Sequence, residues 1–283
     1  MLLTHHHPET VRDFLKIAPS RPTLDGLNSL TAAFLRFPYE NFTKVIRQNT
    51  SKNTDDRFRL PETVWNDHKT NGTGGTCFSL TYFFETVLKA VGFDCYPVMV
   101  DRSYGNNTHC ALIVRLSGRK YLTDPGFCLS RPIEITPKEA EVKLPHNTFI
   151  ITPSDGDKYR ISTVQDGKKK SRYVLKDMPV NAAEFLRFWE ASFNWPMMRH
   201  LCVTRLSENG YMYLRDNFLR RVSSGEKAQT RIKRNFDAEV AKVFGISEEI
   251  VRLASNIVIG RRHSGASRNP VPSANSGPRL APG

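Results

Sequence analysis

The sequence predicts an α+β protein in three successive parts, and two changes of rhythm predict it. Up to residue 91, apolar side chains recur every third or fourth position, the period of a helix. From 93 to 177 they alternate, the period of half-buried strands, and after 181 helical and alternating stretches are mixed. At 283 residues and 39% hydrophobic content, the chain is long enough for two or three compact units.

In chain order, "PETVRDFLKIA" opens with Pro8 and carries Val11, Phe14 and Leu15 at helical spacing. "TLDGLNSLTAAFLRF" sets Leu24, Leu27, Leu30 and Leu35 on one side, with Thr23 or Asp25 as cap. Residues 48–59 are polar without a period and predict a loop. From Cys77, the residues Leu80, Phe83, Phe84, Val87, Leu88 and Val91 form a buried helix that Gly92 ends. Strands are expected at 93–100, 109–116, 119–124, 148–152, 158–164 and 171–177, giving a mostly antiparallel, barrel-like middle. The run "DGKKKSR" (166–172) is expected as an exposed turn. A helix at 181–194, strands "HLCVTRL" and "GYMYLRD", and helices "FDAEVAKVFG" and "SEEIVRLAS" complete the ordered part. Beyond 256 the composition turns to Gly, Ser, Pro, Arg and Asn, and predicts a disordered tail at 257–283.

Composition narrows the function classes. The net charge is +13; four positive charges fall in the last 28 residues, leaving +9 before them. Such a surplus suits a polyphosphate ligand, or simply solubility. No nucleic-acid signature accompanies it, so no nucleic-acid partner is expected. No apolar run can span a bilayer, and "MLLTHHHPETVRDFLK" lacks the pattern of a signal peptide, so a cytoplasmic protein without a membrane partner is expected. Five cysteines without a C-x-x-C suggest reduced thiols rather than a disulfide framework or zinc site. His5 to His7 have no ligand partner at suitable spacing, so no metal is expected.

Three residues could carry chemistry. Cys77 follows the loop "NGTGGT" and begins an apolar helix. A thiol attacks as thiolate, and a helix N-terminus favours the charged form through its free N–H groups. A small buried residue at a helix start is the plain alternative. His109 opens the strand "HCALIVRL", and Ser117-Gly118 is a turn signal after it. If 116 pairs with 119, Asp124 falls opposite Ala111 and becomes a diagonal neighbour of His109 on one face. Such neighbours lie about 7–8 Å apart, within reach of an imidazole and a carboxylate. A one-residue bulge would separate them, and Asp before Pro125-Gly126 is also a common turn residue. In the right register, the three match nucleophile, base and orienting acid.

The blocks "TGGTCF", "NNTHCALIV" and "YLTDPGF", with "RFPYENFTK" upstream and "LSENGYMYLRDNFLRR" downstream, resemble the arylamine N-acetyltransferases over roughly residues 20–255. The resemblance implies a helical bundle (1–91) carrying Cys77 and a β-barrel (92–180) carrying His109 and Asp124. An α/β lid (181–256) follows, the whole on a cysteine-proteinase or transglutaminase-like core. It also implies acetyl transfer from acetyl-CoA, through a Cys77 thioester, to a small arylamine or arylhydrazine. By the same resemblance Thr108, Gly126 and Phe127 border the acyl site. Phe42 and Phe127 would wall an aryl ring, and Glu40 and Gly75 would support the reacting residues from behind. The pattern departs from the family where Thr73 replaces an arginine, which leaves Glu40 without its expected partner, and at Ser79 and Thr81. An amide synthase, a Cys-His-Asp hydrolase of related fold and a non-catalytic binding protein are the alternatives.

Overall fold

The computed structural model describes residues 7–144, 147–165 and 167–264. The first part is helical: α1 (Pro8–Ile17), α2 (Leu24–Phe34), the two-residue strand β1 (Tyr39–Glu40), α3 (Phe42–Thr50), α4 (Pro61–Asn71) and α5 (Cys77–Val91). Pro8 sits in the first turn of α1, where its missing N–H costs nothing, and the Thr23 hydroxyl accepts from Gly26 N to cap α2. Gly92 ends α5 with φ 99°, a left-handed conformation that glycine takes without strain. α5 is buried on nearly every side, and Phe83 packs edge-on against Phe14 and Phe34 at 6.0 and 5.3 Å between ring centres. Burying side chains such as Leu80, Phe83 and Leu88 stabilises the helix's position by about 1.5–3 kcal/mol each. Within the segment 48–59, expected as loop, α3 persists to Thr50 and a single 3₁₀ turn forms at Asp55–Arg57.

The middle part is an eight-stranded antiparallel sheet: β2 (Asp94–Arg102), β3 (Gly105–Leu116), β4 (Arg119–Thr123), β5 (Ile133–Ile135), β6 (Ala140–Lys143), β7 (Thr148–Pro153), β8 (Lys158–Gln165) and β9 (Lys168–Pro179). Their spatial order is β5-β4-β3-β2-β9-β8-β7-β6. The sheet curls into a nearly closed barrel, because Val142 of one edge strand packs on the interior cluster that holds Ile133 and Ile135 of the other. The hairpin register is the one the sequence predicts: Leu116 faces Arg119 and Leu112 faces Thr123. β3 begins four residues before His109, so the histidine lies inside the strand rather than at its start.

The last part comprises α6 (Ala182–Ala191), β10 (Cys202–Ser207), β11 (Gly210–Arg215), β12 (Phe218–Ser223), β13 (Glu226–Arg231), α7 (Phe236–Phe244) and α8 (Glu248–Ser264). The second sheet runs β1-β10-β11-β12-β13, so it recruits its first strand from the helical part. Leu214 and Leu219 on one face pack against Val240, Phe244, Val251 and Ala254 of α7 and α8. α8 does not stop near 256. Ile257 and Val258 continue the rhythm of Val251 and Ala254 into the same core, so the helix reaches Ser264. The rest of the expected tail, from 265, lies outside the described residues, as do His5, His6 and Asp166. No helix among the described residues is long and apolar enough to cross a membrane.

Candidate active site

Cys77 is the first residue of α5, after Thr76 in extended conformation and with no side chain capping the helix. Its sulfur therefore stands where backbone N–H groups lack helical partners. The cysteine is 5% exposed and borders an apolar cluster of Phe58, Phe78, Tyr82, Met99, Phe185 and Trp189. The loop after β4 closes over it. A Cβ on Gly126 would lie 2.6 Å from Cys77 Cβ and 2.9 Å from His109 Cε1, so only glycine lets this turn approach both residues.

The β3–β4 hairpin delivers the other two groups. His109 Nε2 lies 2.8 Å from Asp124 Oδ2 and 3.0 Å from Oδ1. Asp124 is fully buried, and its Oδ1 also accepts from Phe127 N at 2.8 Å, which fixes the carboxylate at the head of the Pro125–Phe127 turn. With Nε2 engaged there, the ring nitrogen left for the hydrogen bond between His109 and Cys77 is Nδ1. Sulfur, imidazole and carboxylate thus form one continuous line.

The electrostatics favour a thiolate–imidazolium pair. A hydrogen bond from Cys110 holds the Cys77 thiol well below its ordinary range against the opposing effect of burial, aided by His109 and the charge of Lys44. Burial alone would depress His109, but the charge and hydrogen bond of Asp124, with those of Cys77, raise it to about 9. Lys44 is itself buried, donates to Ser192 Oγ and stands 4.6 Å from the Phe193 ring centre; burial lowers it to about 8.

Glu40 is not left alone, which corrects the expectation drawn from Thr73. Arg59, from the segment read as a polar loop, supplies the guanidinium from another point of the chain. Its Nη1 lies 3.4 Å from Glu40 Oε1 and donates to Thr43 Oγ1 at 2.7 Å and to Gly74 O. Its Nη2 donates to Asp67 at 2.9 Å. Glu40 in turn accepts from Thr43 N and Oγ1, starting α3. Gly75 bonds through its carbonyl to Glu40 N, and a Cβ on it would meet Ser79 Oγ at 2.3 Å. The cluster fixes the loop that leads into Cys77. Arg59→Met would strand a carboxylate that is 0% exposed beside a guanidinium site that is 3% exposed. We expect a loss of about 3–5 kcal/mol, read as a lower urea midpoint.

The structure brings together Cys77, His109, Asp124 and Gly126, whereas Thr108, next to His109 in the chain, bonds back to Gly105 O at 2.7 Å. Phe127 stands edge-on to Tyr173 at 5.4 Å and faces the Arg102 guanidinium at 5.7 Å. Phe42 is not in this group. It is fully buried with Val203, Leu214 and Val251 beneath the second sheet, so it packs a core instead of walling the site. Sequence reasoning missed Arg59, Lys44 and Cys110. Cys110 was visible beside His109, but strand alternation sends adjacent side chains to opposite faces and hides that both reach Cys77.

Comparison with known proteins bears on the fold and the family. An uncharacterized acetyltransferase of Acanthamoeba polyphaga mimivirus is 32% identical over 116 residues, which span 32% of this chain and 57% of that relative. The arylamine N-acetyltransferase of Mycobacterium abscessus superposes with a TM-score of 0.76 at 19% identity, covering 89% of this chain and 95% of that one. The Salmonella typhimurium enzyme gives 0.73 at 18% identity, covering 90% and 100%. At such identities the superpositions establish the fold. A family model described as N-acetyltransferase matches residues 23–252, and on that match the chain belongs to the arylamine N-acetyltransferase family and is an acyltransferase.

Proposed function

We propose that the protein transfers an acetyl group from acetyl-CoA to an arylamine or arylhydrazine through a thioester on Cys77. The observation that carries this reading is the line of contacts from the sulfur at the start of α5 through His109 to Asp124. In the first half-reaction the Cys77 thiolate attacks the donor's thioester carbonyl. His109 gives a proton to the departing CoA sulfur, and Asp124 holds the ring in the tautomer that allows it. In the second, the amine attacks the acetyl thioester. His109 takes the amine's proton, and Cys77 leaves as thiolate. Weakly basic aryl amines are uncharged near pH 7 and can attack directly.

An anionic donor is favoured by a second feature. Arg172, lowered by burial, also feels the like charges of Arg102 and Arg220. None forms an ion pair with a carboxylate among the described residues. Clustered cations without counter-charge suit a phosphorylated ligand. Arg102 also stands over Phe127, beside the turn that closes on Cys77. In this reading the three parts are units that meet at the site: the first gives Cys77, the second His109 and Asp124, the third covers them.

The experiment mixes the protein with acetyl-CoA and follows intact mass and free CoA thiol. Acetylation of Cys77 with a single equivalent of CoA thiol, followed by continued thiol release only when an arylamine is present, supports the transferase. Continued turnover at the same rate without amine points to a hydrolase, and no adduct at all removes the catalytic reading.

The shifted groups also set a pH profile. Cys77, with a depressed pKa, remains thiolate well below the pH at which ordinary thiols ionise, so its iodoacetamide labelling should stay fast until pH falls through that lowered value. His109 keeps its proton up to about 9. Above that pH the leaving CoA loses its proton donor, and the acylation rate should fall. Stopped-flow acylation between pH 5 and 10, in steps of about 0.5, checks both limbs.

A further inference from the structure

We infer that Cys77 and Cys110 are a built-in thiol pair that closes to a disulfide when peroxide oxidises Cys77. The cross-link is independent of acyl transfer; only its consequence, a silenced enzyme, rests on the function proposed above.

Three observations place the sulfurs together. Cys110 is the largest influence on the Cys77 thiol, which it lowers, and Cys77 in turn raises Cys110, as befits neighbouring sulfurs. Cys110 Sγ lies 3.5 Å from Thr81 Oγ1, and Thr81 lies one helical turn beyond Cys77 on α5. Both cysteines line one apolar cluster, with Cys77 at 5% and Cys110 at 0% exposure. On β3, Cys110 shares the helix-facing side with Leu112 and Val114, whereas His109 shares the barrel side with Ala111. Two successive residues of one strand therefore reach the same sulfur from either side of its end.

The chemistry follows from that placement. The Cys77 thiolate attacks one peroxide oxygen, and the O–O bond breaks. Hydroxide leaves, takes the His109 proton and becomes water, while Cys77 becomes a sulfenic acid. Burial chiefly keeps the proton on Cys110, helped by the charge on Cys77, and oxidation removes that charge. Cys110 then attacks the sulfenic sulfur. The S–S bond forms, the S–O bond breaks, and the departing hydroxide takes the Cys110 proton as water. Two thiols and one hydrogen peroxide give one disulfide and two waters. Because Cys110 is sealed from solvent, no external thiol competes for the sulfenic acid through that side. The other thiols do not share the arrangement. Burial pushes Cys95, Cys128 and Cys202 up to about 12, so they lack the thiolate that peroxide needs.

The test treats the full chain with hydrogen peroxide at neutral pH, quenches it in denaturant with iodoacetamide, and maps the peptides by mass. The reduced protein has five alkylatable thiols. The expected result is a product with two fewer, about 2 Da lighter before alkylation, containing a linked Cys77–Cys110 peptide that dithiothreitol releases. Sulfinic acid on Cys77 with Cys110 still alkylated would overturn the inference. So would a link from Cys77 to any other cysteine, or an unoxidised Cys77. In Cys110→Ser, the irreversible product, about 32 Da heavier, should rise severalfold because nothing resolves the sulfenic acid. If that variant fails to fold, the wild-type map alone still decides. None of these readouts uses acetyl transfer, so failure here and failure of the proposed reaction are separate results.

Discussion

Cys77→Ser is expected to abolish acetyl transfer and to leave no adduct on the protein, while far-UV circular dichroism and the urea midpoint stay near those of the wild type. The hydroxyl fits the space of the thiol, and the close approach of Gly126 to the Cys77 Cβ is unaffected by the exchange of sulfur for oxygen. Ionisation is what changes. Cys77 is held as thiolate by Cys110, His109 and Lys44, and a serine hydroxyl does not ionise in this range whatever surrounds it. Turnover in the serine variant above about one part in a thousand of wild type would mean that another group accepts the acetyl. Peptide mapping of the wild-type adduct would name it.

Asp124→Asn is expected to lower the acylation rate by about 10⁴. The carboxylate accepts from His109 Nε2 and also from Phe127 N. An asparagine oxygen can keep one of these bonds, while its amide presents N–H to the other acceptor position. If the oxygen stays on Phe127, the amide faces Nε2 and reverses the tautomer of the neutral ring, which puts a proton on Nδ1 where the second half-reaction needs an acceptor for the amine's proton. The variant also loses the charge that raises His109 to about 9, so the imidazolium is less populated at neutral pH. A transfer rate within about tenfold of wild type, in a variant of unchanged fold, would refute the orienting role.

How far the sequence revealed all this depended on whether the physics was local. The hairpin register was legible because turn chemistry at Ser117-Gly118 and alternation along "HCALIVRL" act within a few residues. Helix α5 was legible because six of its apolar side chains share a period. β13 was not, since all six of its residues are exposed and none alternates. β1, β5 and β6 have four residues or fewer, too short for any period. Arg59 was hidden for a different reason. Its charge is matched by Glu40, 19 residues earlier, and nothing in a polar loop distinguishes a guanidinium that turns inward from one in water. Phe42 misled because a phenylalanine beside a functional block can serve either the site or the core, and here the pull of α7 and α8 decided.

The joining of β1 to β10 bears on when the enzyme becomes active during its synthesis. Asn41 accepts from Cys202 N at 2.8 Å and donates to the His200 carbonyl at 2.7 Å, partners 161 and 159 residues further along. Until β10 has left the ribosome, a nascent chain already holds its sulfur, imidazole and carboxylate, but the Tyr39–Asn41 segment behind them has no partner strand. Contacts this distant in sequence form late. Competence is thus expected to wait for β10, well after the reactive thiol itself has been made.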